Sequence, residues 1–289
     1  MLAVLFGALA GAGFGALMVA VRHGLARGVD PFAGAVATAA VAAVAVVLAS
    51  IPWLVVDDVS WSDLWPYLVV GLIAPGASQL ILILAVRDAG PSRAAILIGT
   101  APLISVAIAL TVLDEPFEPW LIAGTVLVVA GGALLARERA RPEHFRALGA
   151  VLALLCALLF GIRDNVARWA ARDAHPPPVV ATAVTLAAAA ALIAVTVLVT
   201  RPAAARTLGP AVVGFAPAGL ILGAAYACLL VAFDHGRVSI VAPLNATQSL
   251  WAVVFAAAVI GAKHEAIGSR LILAGALVVA GSSLISILR

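Results

Sequence analysis

Residues 124–132 read GTVLVVAGG and residues 274–282 read AGALVVAGS, so a Val-Val-Ala-Gly segment recurs at a shift of 150 residues. The same shift places Glu115 on Glu265, and each glutamate stands just before the last apolar run of its half. A single short match carries little weight in a chain rich in alanine, valine and glycine. Matches that keep their order along the chain indicate an internal repeat.

Further matches lie upstream, at a shift of 146 residues. There Phe14-Gly15 coincides with Phe160-Gly161, and Arg22 coincides with Arg168. The difference of four residues between the two shifts fits an insertion before the last helical hairpin. The order of these matches predicts that the second half of the chain is a copy of the first.

The composition excludes an ordinary soluble protein. The 289 residues are 64% hydrophobic and 11% charged, with a mean hydropathy of +1.18. A typical soluble domain is roughly 45–50% apolar and about 25% charged. The net charge of +3 comes from scattered basic residues without a basic stripe, so no nucleic-acid partner is expected. The chain is predicted to be an integral membrane protein whose surroundings are a lipid bilayer.

Ten apolar runs are long enough for membrane helices, each of which needs about 20 residues. Run lengths of this kind favour helices over the shorter strands of a membrane barrel. The first run is interpreted as a helix rather than a signal peptide, because it has no basic leader and nine more runs follow. The fold class is predicted to be all-α integral membrane with ten transmembrane helices, near 1–21, 31–56, 64–86, 91–113, 119–136, 147–171, 178–200, 211–233, 239–261 and 266–288.

The repeat divides these helices into two sets of five, which we assign to domains 1–140 and 141–289. Because five is an odd number, the second set enters the membrane in the opposite sense to the first. Two inverted five-helix repeats are the structural basis of alternating access in many secondary transporters. The pattern therefore favours a transporter.

The repeated motifs resemble those of the EamA repeats of the drug/metabolite transporter superfamily. The resemblance is carried by the Phe-Gly and arginine motif of each half, by Ala101-Pro102-Leu103, by the acidic Asp114-Glu115 turn and by the following helix with glycines at 124 and 131. It covers both halves, although the second half has Gln248-Ser249 where the first has Pro102. The resemblance implies a ten-helix carrier that exports small metabolites such as amino-acid-like or drug-like solutes.

One group of charged residues falls inside a predicted span. Asp164 lies about 25 Å along the sixth helix, counted at 1.5 Å per residue, and Arg168 lies on the same face four residues later. Charges inside a membrane mark ion or substrate pathways. We predict that Asp164 is the protonatable ion-coupling group and that Arg168 is its partner or the anchor for an anionic substrate group. The alternative interpretation is an internal salt bridge at the helix end, with Arg163 and Arg168 extending to the headgroups.

Neutral polar residues in other spans are candidates for substrate contacts. Many such residues serve only to join helices by hydrogen bonds. The stretch from Asn245 to Trp251 is unusually rich in them and follows Pro243, and a proline-interrupted helix is a common site of substrate binding in carriers. The predicted substrate-binding residues are Gln79, Asn165, Tyr226, Asn245, Gln248, Ser249 and Trp251.

No enzyme, cofactor or metal motif is present in the sequence. Cys156 and Cys228 have no CxxC spacing, His264-Glu265 lacks the second histidine of a zinc peptidase, and no phosphate-binding GxxxxGK[ST] loop occurs. We therefore expect no catalytic residues, no cofactor and no bound metal. The expected partners are a small-molecule substrate and a proton or another coupling ion. Energy is then drawn from an ion or solute gradient.

Two questions stay open at this level. A channel, a flippase for lipid-linked substrates, or a membrane-embedded enzyme or scaffold are alternatives to the carrier.

The location is expected to be the cell membrane, plasma or inner, with multiple passes. Twelve of the 17 basic residues lie in or beside odd-numbered connections, so the positive-inside rule places both termini outside the cell. The family resemblance implies cytoplasmic termini.

Overall fold

The molecule is a bundle of helices throughout the part of the chain that can be described. Its computed structural model describes residues 1–56, 59–112, 120, 146–173, 176–261 and 268–287, and isolated positions at 123–124, 126–127, 130–131 and 134. Apolar runs become helices in a membrane because a helix satisfies its own backbone hydrogen bonds where no water is available.

Six helices of the first half have described bounds, and the isolated described positions between 120 and 134 are helical as well. The helices α3 and α4 form one span interrupted at Leu72–Ala77, where Ala74 has extended backbone angles (φ −151°, ψ 124°). Pro75 follows this residue, and proline favours an extended conformation in the residue before it. The helices are α1 (Leu2–Ala26), α2 (Pro31–Val56), α3 (Trp61–Gly71), α4 (Ser78–Ala89), α5 (Pro91–Ile98) and α6 (Ala101–Val112).

The second half contributes another six helices. A short 3-10 turn, Pro202–Thr207, precedes α9, and a wider turn, Ala257–Gly261, continues α11. The helices are α7 (Ala147–Asp173), α8 (Pro178–Thr200), α9 (Leu208–His235), α10 (Val238–Ala246), α11 (Gln248–Ala256) and α12 (Ser269–Ile287).

The described helices account for most of the predicted spans. Seven segments of the described chain are long and apolar enough to cross a membrane, and two shorter apolar helices cover Leu244–Ile260 and Ser269–Gly281. The predicted span at 119–136 lies mostly outside the described residues, so the count of ten stays a prediction. Large apolar side chains face outward along the spans, as in Val44, Leu48 and Val151, which are about 60% exposed. Such an outer surface suits lipid rather than water.

The fourth and ninth spans share the same interruption. Gly99 and Thr100 separate α5 from α6, Thr247 separates α10 from α11, and the two threonines match at a shift of 147 residues. In each case the threonine Oγ1 donates a hydrogen bond to the carbonyl three residues earlier, at 2.7 Å to Leu97 and 2.6 Å to Leu244. Serine and threonine hydroxyls that bond back to the helix compete with its own amides. The two spans therefore break at equivalent residues and in the same way.

The backbone repeats this equivalence one turn later. The amide of Leu103 donates to the Thr100 carbonyl and the amide of Leu250 donates to the Thr247 carbonyl, both at 3.0 Å. Each bond reaches back three residues where an α-helix reaches back four. Both spans consequently tighten at the break before they continue.

Glycines bring the two halves together through matching contacts. A Cβ atom placed on Gly15 in α1 would lie 2.8 Å from the Ala252 amide in α11, and one on Gly161 in α7 would lie 3.1 Å from the Ser105 amide in α6. Gly15 and Gly161 are equivalent at a shift of 146. Helix backbones approach this closely only where no side chain intervenes. Each half therefore packs its first helix on the broken span of the other half.

The helix ends show the direction of each half. The Arg146 amide at the start of α7 donates to the Asp88 carbonyl at the end of α4, at 2.6 Å. At the other end of the bundle, a Cβ on Gly236, just after α9, would lie 2.6 Å from the Ala3 Cβ in α1. Because α1, α2 and the span formed by α3 and α4 are three successive spans and alternate in direction, α4 ends on the face opposite the one where α1 begins. The helices α1 and α7 therefore begin on opposite faces of the bundle.

Candidate functional site

A buried ion pair lies in the second half of α7. Arg163 is fully buried and Asp164 is 2% exposed. The Arg163 Nε and Nη2 atoms both donate to Asp164 Oδ1, at 2.9 and 2.6 Å, and Nη1 donates to the Tyr226 hydroxyl of α9 at 3.1 Å. A buried charge is tolerated only when it is paired and its hydrogen-bonding groups are satisfied. The guanidinium meets this condition by joining α7 to α9.

Three aromatic rings surround the same guanidinium. The Arg163 Cζ atom lies 4.6 Å from the centre of the Phe160 ring, 5.4 Å from that of Tyr226 and 5.9 Å from that of Phe14 in α1. Phe14 and Tyr226 contact each other edge to face, with 5.4 Å between ring centres. Cation–π contacts gain strength when the cation is desolvated, as it is here. The arginine therefore connects α7 with helices of both halves.

The carboxylate and its neighbour contact the broken fourth span. Ser105 Oγ in α6 lies 3.3 Å from Asp164 Oδ2 and 3.3 Å from the Gly161 carbonyl, to both of which it can donate. The Asn165 Nδ2 group donates to the carbonyls of Ser105 and Gly161 at 3.0 and 2.9 Å. In both contacts the Asn165 side chain is the hydrogen-bond donor. They place the ion pair directly beside α6.

The predicted pairing of Asp164 with Arg168 is wrong in this structure. Asp164 is paired with its sequence neighbour Arg163, while Arg168 Nη1 donates to the Phe233 carbonyl near the end of α9, at 3.1 Å. Residues four apart share a helix face, but the long arginine side chain also reaches an adjacent residue when rings on neighbouring helices hold it there. Arg168 thus serves as a contact between the ends of α7 and α9.

Five buried polar atoms have no hydrogen-bond partner within the described residues. Four belong to residues predicted to bind substrate, and the fifth is the hydroxyl of Ser92 in α5. All five side chains are 5% exposed or less. Because an unsatisfied buried polar atom is costly, such atoms in a native structure need an explanation. The four predicted ones are Gln79 Nε2, Asn165 Oδ1, Asn245 Oδ1 and Gln248 Oε1.

The remaining predicted substrate residues fall in two kinds of environment. Tyr226 is buried against Arg163, and Ser249 Oγ donates to the Ala95 carbonyl of α5 at 3.0 Å, which joins the two broken spans. Trp251 is 40% exposed and its ring stacks on Phe255 at 5.5 Å, on the outer side of α11. The structure therefore groups Tyr226 and Ser249 with the buried interior and leaves Trp251 at the surface.

Several important contacts could not be assigned from the sequence. Arg163 was recognised as a charge within the span, but the rings of Phe14 and Phe160 that enclose it are ordinary apolar residues in the sequence. Ser105 could not be recognised as a contact of Asp164 from the sequence either, because a single serine in an apolar helix is common. Phe14 and Phe160 are equivalent in the repeat, and this equivalence was the available indication that both face the bundle interior.

Some predicted features lie outside the described residues. These include Glu115, Glu265, His264 and most of the last helix of the first repeat, and the side chain of Pro243 is likewise outside them. Among the described residues, no group of three or more His, Cys, Asp or Glu side chains is placed to hold a metal ion.

Comparison with solved structures supports this architecture. A chain in a crystal structure matches this protein with a TM-score of 0.71 and 23% sequence identity, over 99% of this chain and 96% of its own length. Identity at this level establishes the fold and says nothing about the activity. No curated protein matches the chain.

The apolar outer surface, the repeated broken spans and the buried polar interior define a multi-pass membrane protein. The model of the EamA-like transporter family matches residues 1–137 and again residues 147–287. The chain belongs to the EamA-like transporter family. The two matches confirm the resemblance found in the repeated motifs.

Proposed function

We propose that the protein is a secondary active transporter that exports small metabolites, amino-acid-like or drug-like solutes, by alternating access through a central site. The observation that carries this proposal is the contact between the two broken spans, where Ser249 Oγ meets the Ala95 carbonyl at 3.0 Å. Interrupted helices that meet in the interior are a usual location for the binding site of a carrier. The location that goes with this function is the plasma or inner membrane.

The proposed substrate site consists of the buried amides and hydroxyls of the bundle interior. Gln79, Asn165, Asn245 and Gln248 each carry a buried polar atom without a partner among the described residues. A polar solute would supply the missing hydrogen bonds and would thereby be bound in preference to an apolar one. Tyr226 and Ser249 complete the interior set, and Trp251 would contact solute only from the outer side of α11.

The proposed coupling element is the Arg163–Asp164 pair. In the first half, the equivalent residues at a shift of 146 are Leu17 and Met18, which are also fully buried. The pair therefore occupies a place that the same fold fills with apolar side chains, which favours a role in function over a role in folding. Asp164 is the proposed protonatable group, and Arg163 takes the partner role that helical spacing had assigned to Arg168.

Alternating access is supported by an asymmetry between equivalent arginines. Arg168 donates to the Phe233 carbonyl, which joins the ends of α7 and α9 at one face of the bundle. The equivalent residues on the other face are Arg22 and Arg87, and no hydrogen bond joins these two in the described part of the chain. A carrier made of two inverted repeats, here 1–140 and 141–289, is expected to engage one of two such contacts at a time.

A comparison of metabolites tests the proposal. Cells that make the wild-type protein are compared with cells that make Gln248→Leu at the same membrane level, and the medium of each is profiled for small solutes. We expect one class of polar solute to be enriched only in the medium of wild-type cells. Identical media from the two cultures, under conditions where both proteins are folded, would refute the proposed export.

A further inference from the structure

The break in the ninth span carries two buried amide oxygens that lack a donor. Asn245 Oδ1 and Gln248 Oε1 have no hydrogen-bond partner among the described residues, and the two side chains are 5% and 2% exposed. They stand three residues apart across Thr247, where the amide of Thr247 bonds to the Leu244 carbonyl at 3.1 Å. Side chains three apart lie one above the other in such a tight turn. Two unpaired acceptors thus share one face of the break.

The equivalent break in the fourth span shows that this polarity is not needed for the turn. There the residues that match Asn245 and Gln248 at a shift of 147 are Ile98 and Ala101, both buried. The threonine hydrogen bond and the tightened turn are the same in both spans. A fold that forms the break with two apolar residues has no structural need for two unsatisfied amides, so their presence points to a ligand.

The surroundings favour a cation. The half-helix α10 ends at Ala246, and the carbonyl end of a helix carries about half a negative charge. A Cβ on Gly11 of α1 would lie 2.7 Å from the Leu244 carbonyl oxygen and 3.3 Å from that of Asn245. The backbone of α1 therefore packs closely on the break at Gly11, whereas the equivalent residue of α7 is Ala157. Oxygen atoms from amides and carbonyls are the ligands that hard cations prefer.

We propose that Asn245 Oδ1 and Gln248 Oε1, which lie at the carbonyl end of α10, form a binding site for a monovalent cation. Unwound carbonyls and half-helix ends hold coupling ions in other secondary transporters. The ligand is either an inorganic ion such as Na⁺ or the ammonium group of a substrate, since both present a single positive charge to neutral oxygens. The inference deepens the proposed function and rests on it for its meaning in transport, but cation binding itself can be measured without transport.

The test measures the thermal stability of the purified full-length protein in lipid nanodiscs. Chloride salts of sodium, potassium, methylammonium and choline are compared at constant ionic strength, with choline as the bulky reference cation. A ligand that binds only the folded protein raises its melting temperature. At about ten times its Kd, a bound cation is expected to raise the Tm by roughly 3–6 °C relative to choline.

Three variants locate the effect. Asn245→Leu and Gln248→Leu each remove one proposed ligand and should lower the apparent affinity for the cation at least about tenfold. Thr182→Val is the matched control, because Thr182 is also buried but bonds only to the Pro178 carbonyl of its own helix. This control should keep the full cation response.

The outcomes separate the sources of the cation and decide the proposal. Stabilisation by sodium or potassium assigns the site to a coupling ion, and stabilisation by methylammonium alone assigns it to a substrate ammonium group. Equal Tm values of the wild-type protein in all four salts would overturn the proposal, whether or not the variants fold. A response that persists in both leucine variants would also overturn it. Binding without any solute export would contradict the proposed function and leave the cation site intact.

Discussion

The buried pair of Arg163 and Asp164 can be replaced by the residues that the first repeat places at the same positions, Leu17 and Met18. We predict that the double variant Arg163→Leu with Asp164→Met folds but does not transport. Arg163 is fully buried and Asp164 is 2% exposed, so each single replacement leaves the other charge unpaired in the interior. Loss of one partner of a buried pair costs about 3–5 kcal/mol, whereas replacing both by apolar residues is often nearly neutral.

The expected change in the free energy of unfolding follows from the contacts of the Arg163–Asp164 pair. The double variant also removes the donor that Arg163 Nη1 provides to the Tyr226 hydroxyl, at a cost of about 1–3 kcal/mol. We therefore expect the free energy of unfolding of the double variant to lie within about 3 kcal/mol of the wild-type value. Each single variant should lose about 3–5 kcal/mol of this free energy. For a protein of this size a loss of 3–5 kcal/mol lowers Tm by roughly 6–20 °C.

The assay combines thermal unfolding in nanodiscs with solute export from intact cells. The reasoning about charge pairing is refuted if the double variant is less stable than both single variants. The reasoning about function is refuted if the double variant exports solute at the wild-type rate with an unchanged pH dependence. Tyr226→Phe is the control for the lost hydroxyl contact, and it should lower Tm by only a few degrees.

Three other predictions follow from the packing and the charge distribution. Gly15→Leu and Gly161→Leu should each remove the peak of folded protein from size-exclusion chromatography, because a Cβ at either site already meets a backbone amide at 2.8 or 3.1 Å. Gly209→Leu is the control and should elute as the wild type does, because a Cβ at that site has nothing within 4 Å. Asn165→Leu should cost about 1–3 kcal/mol in thermal unfolding, since the Ser105 carbonyl loses its buried donor, and an unchanged Tm would contradict this contact. A reporter fused after residue 289 should be active only outside the cell if the positive-inside rule governs the chain, and cytoplasmic activity would show that it does not.

The positions of the spans could be predicted because hydropathy and punctuation act locally. The runs predicted near 31–56 and 178–200 begin where α2 and α8 begin, at Pro31 and Pro178, because proline has no amide to donate and fits the first turn of a helix. The exact positions of the interruptions, at Thr100 and Thr247, could not be predicted, because a backbone hydrogen bond that reaches back three residues instead of four leaves the hydropathy unchanged. Pro243 indicated an interrupted ninth span, and the break falls four residues later, at Thr247.

The candidate site was predictable in its residues and not in its pairings. A charge or an amide inside an apolar helix is visible in the sequence. This was enough to select Asp164, Gln79 and Gln248 as candidates, and the structure buries all three. The partner of Asp164 depends on rings contributed by α1 and α9, and no pattern within α7 contains that information. Helical spacing therefore favoured Arg168, whereas the three-dimensional contacts select Arg163.

The central claim is that equivalent contacts on opposite faces close in turn around an interior site. The measurement uses a chain with Cys156 and Cys228 replaced by alanine and a single reporter cysteine at Gln248. Cysteine pairs are then introduced either at Arg168 and Phe233 or at their equivalents Arg22 and Arg87. Each pair is cross-linked with a short bifunctional thiol reagent. The reporter cysteine is then exposed to a membrane-impermeant thiol label.

The account predicts that cross-linking at Arg168 and Phe233 leaves the reporter reachable only from the face opposite these residues. Cross-linking at Arg22 and Arg87 should leave it reachable only from the face that the first pair closes. Labelling from the same face in both cross-linked proteins would contradict alternating access by two inverted repeats.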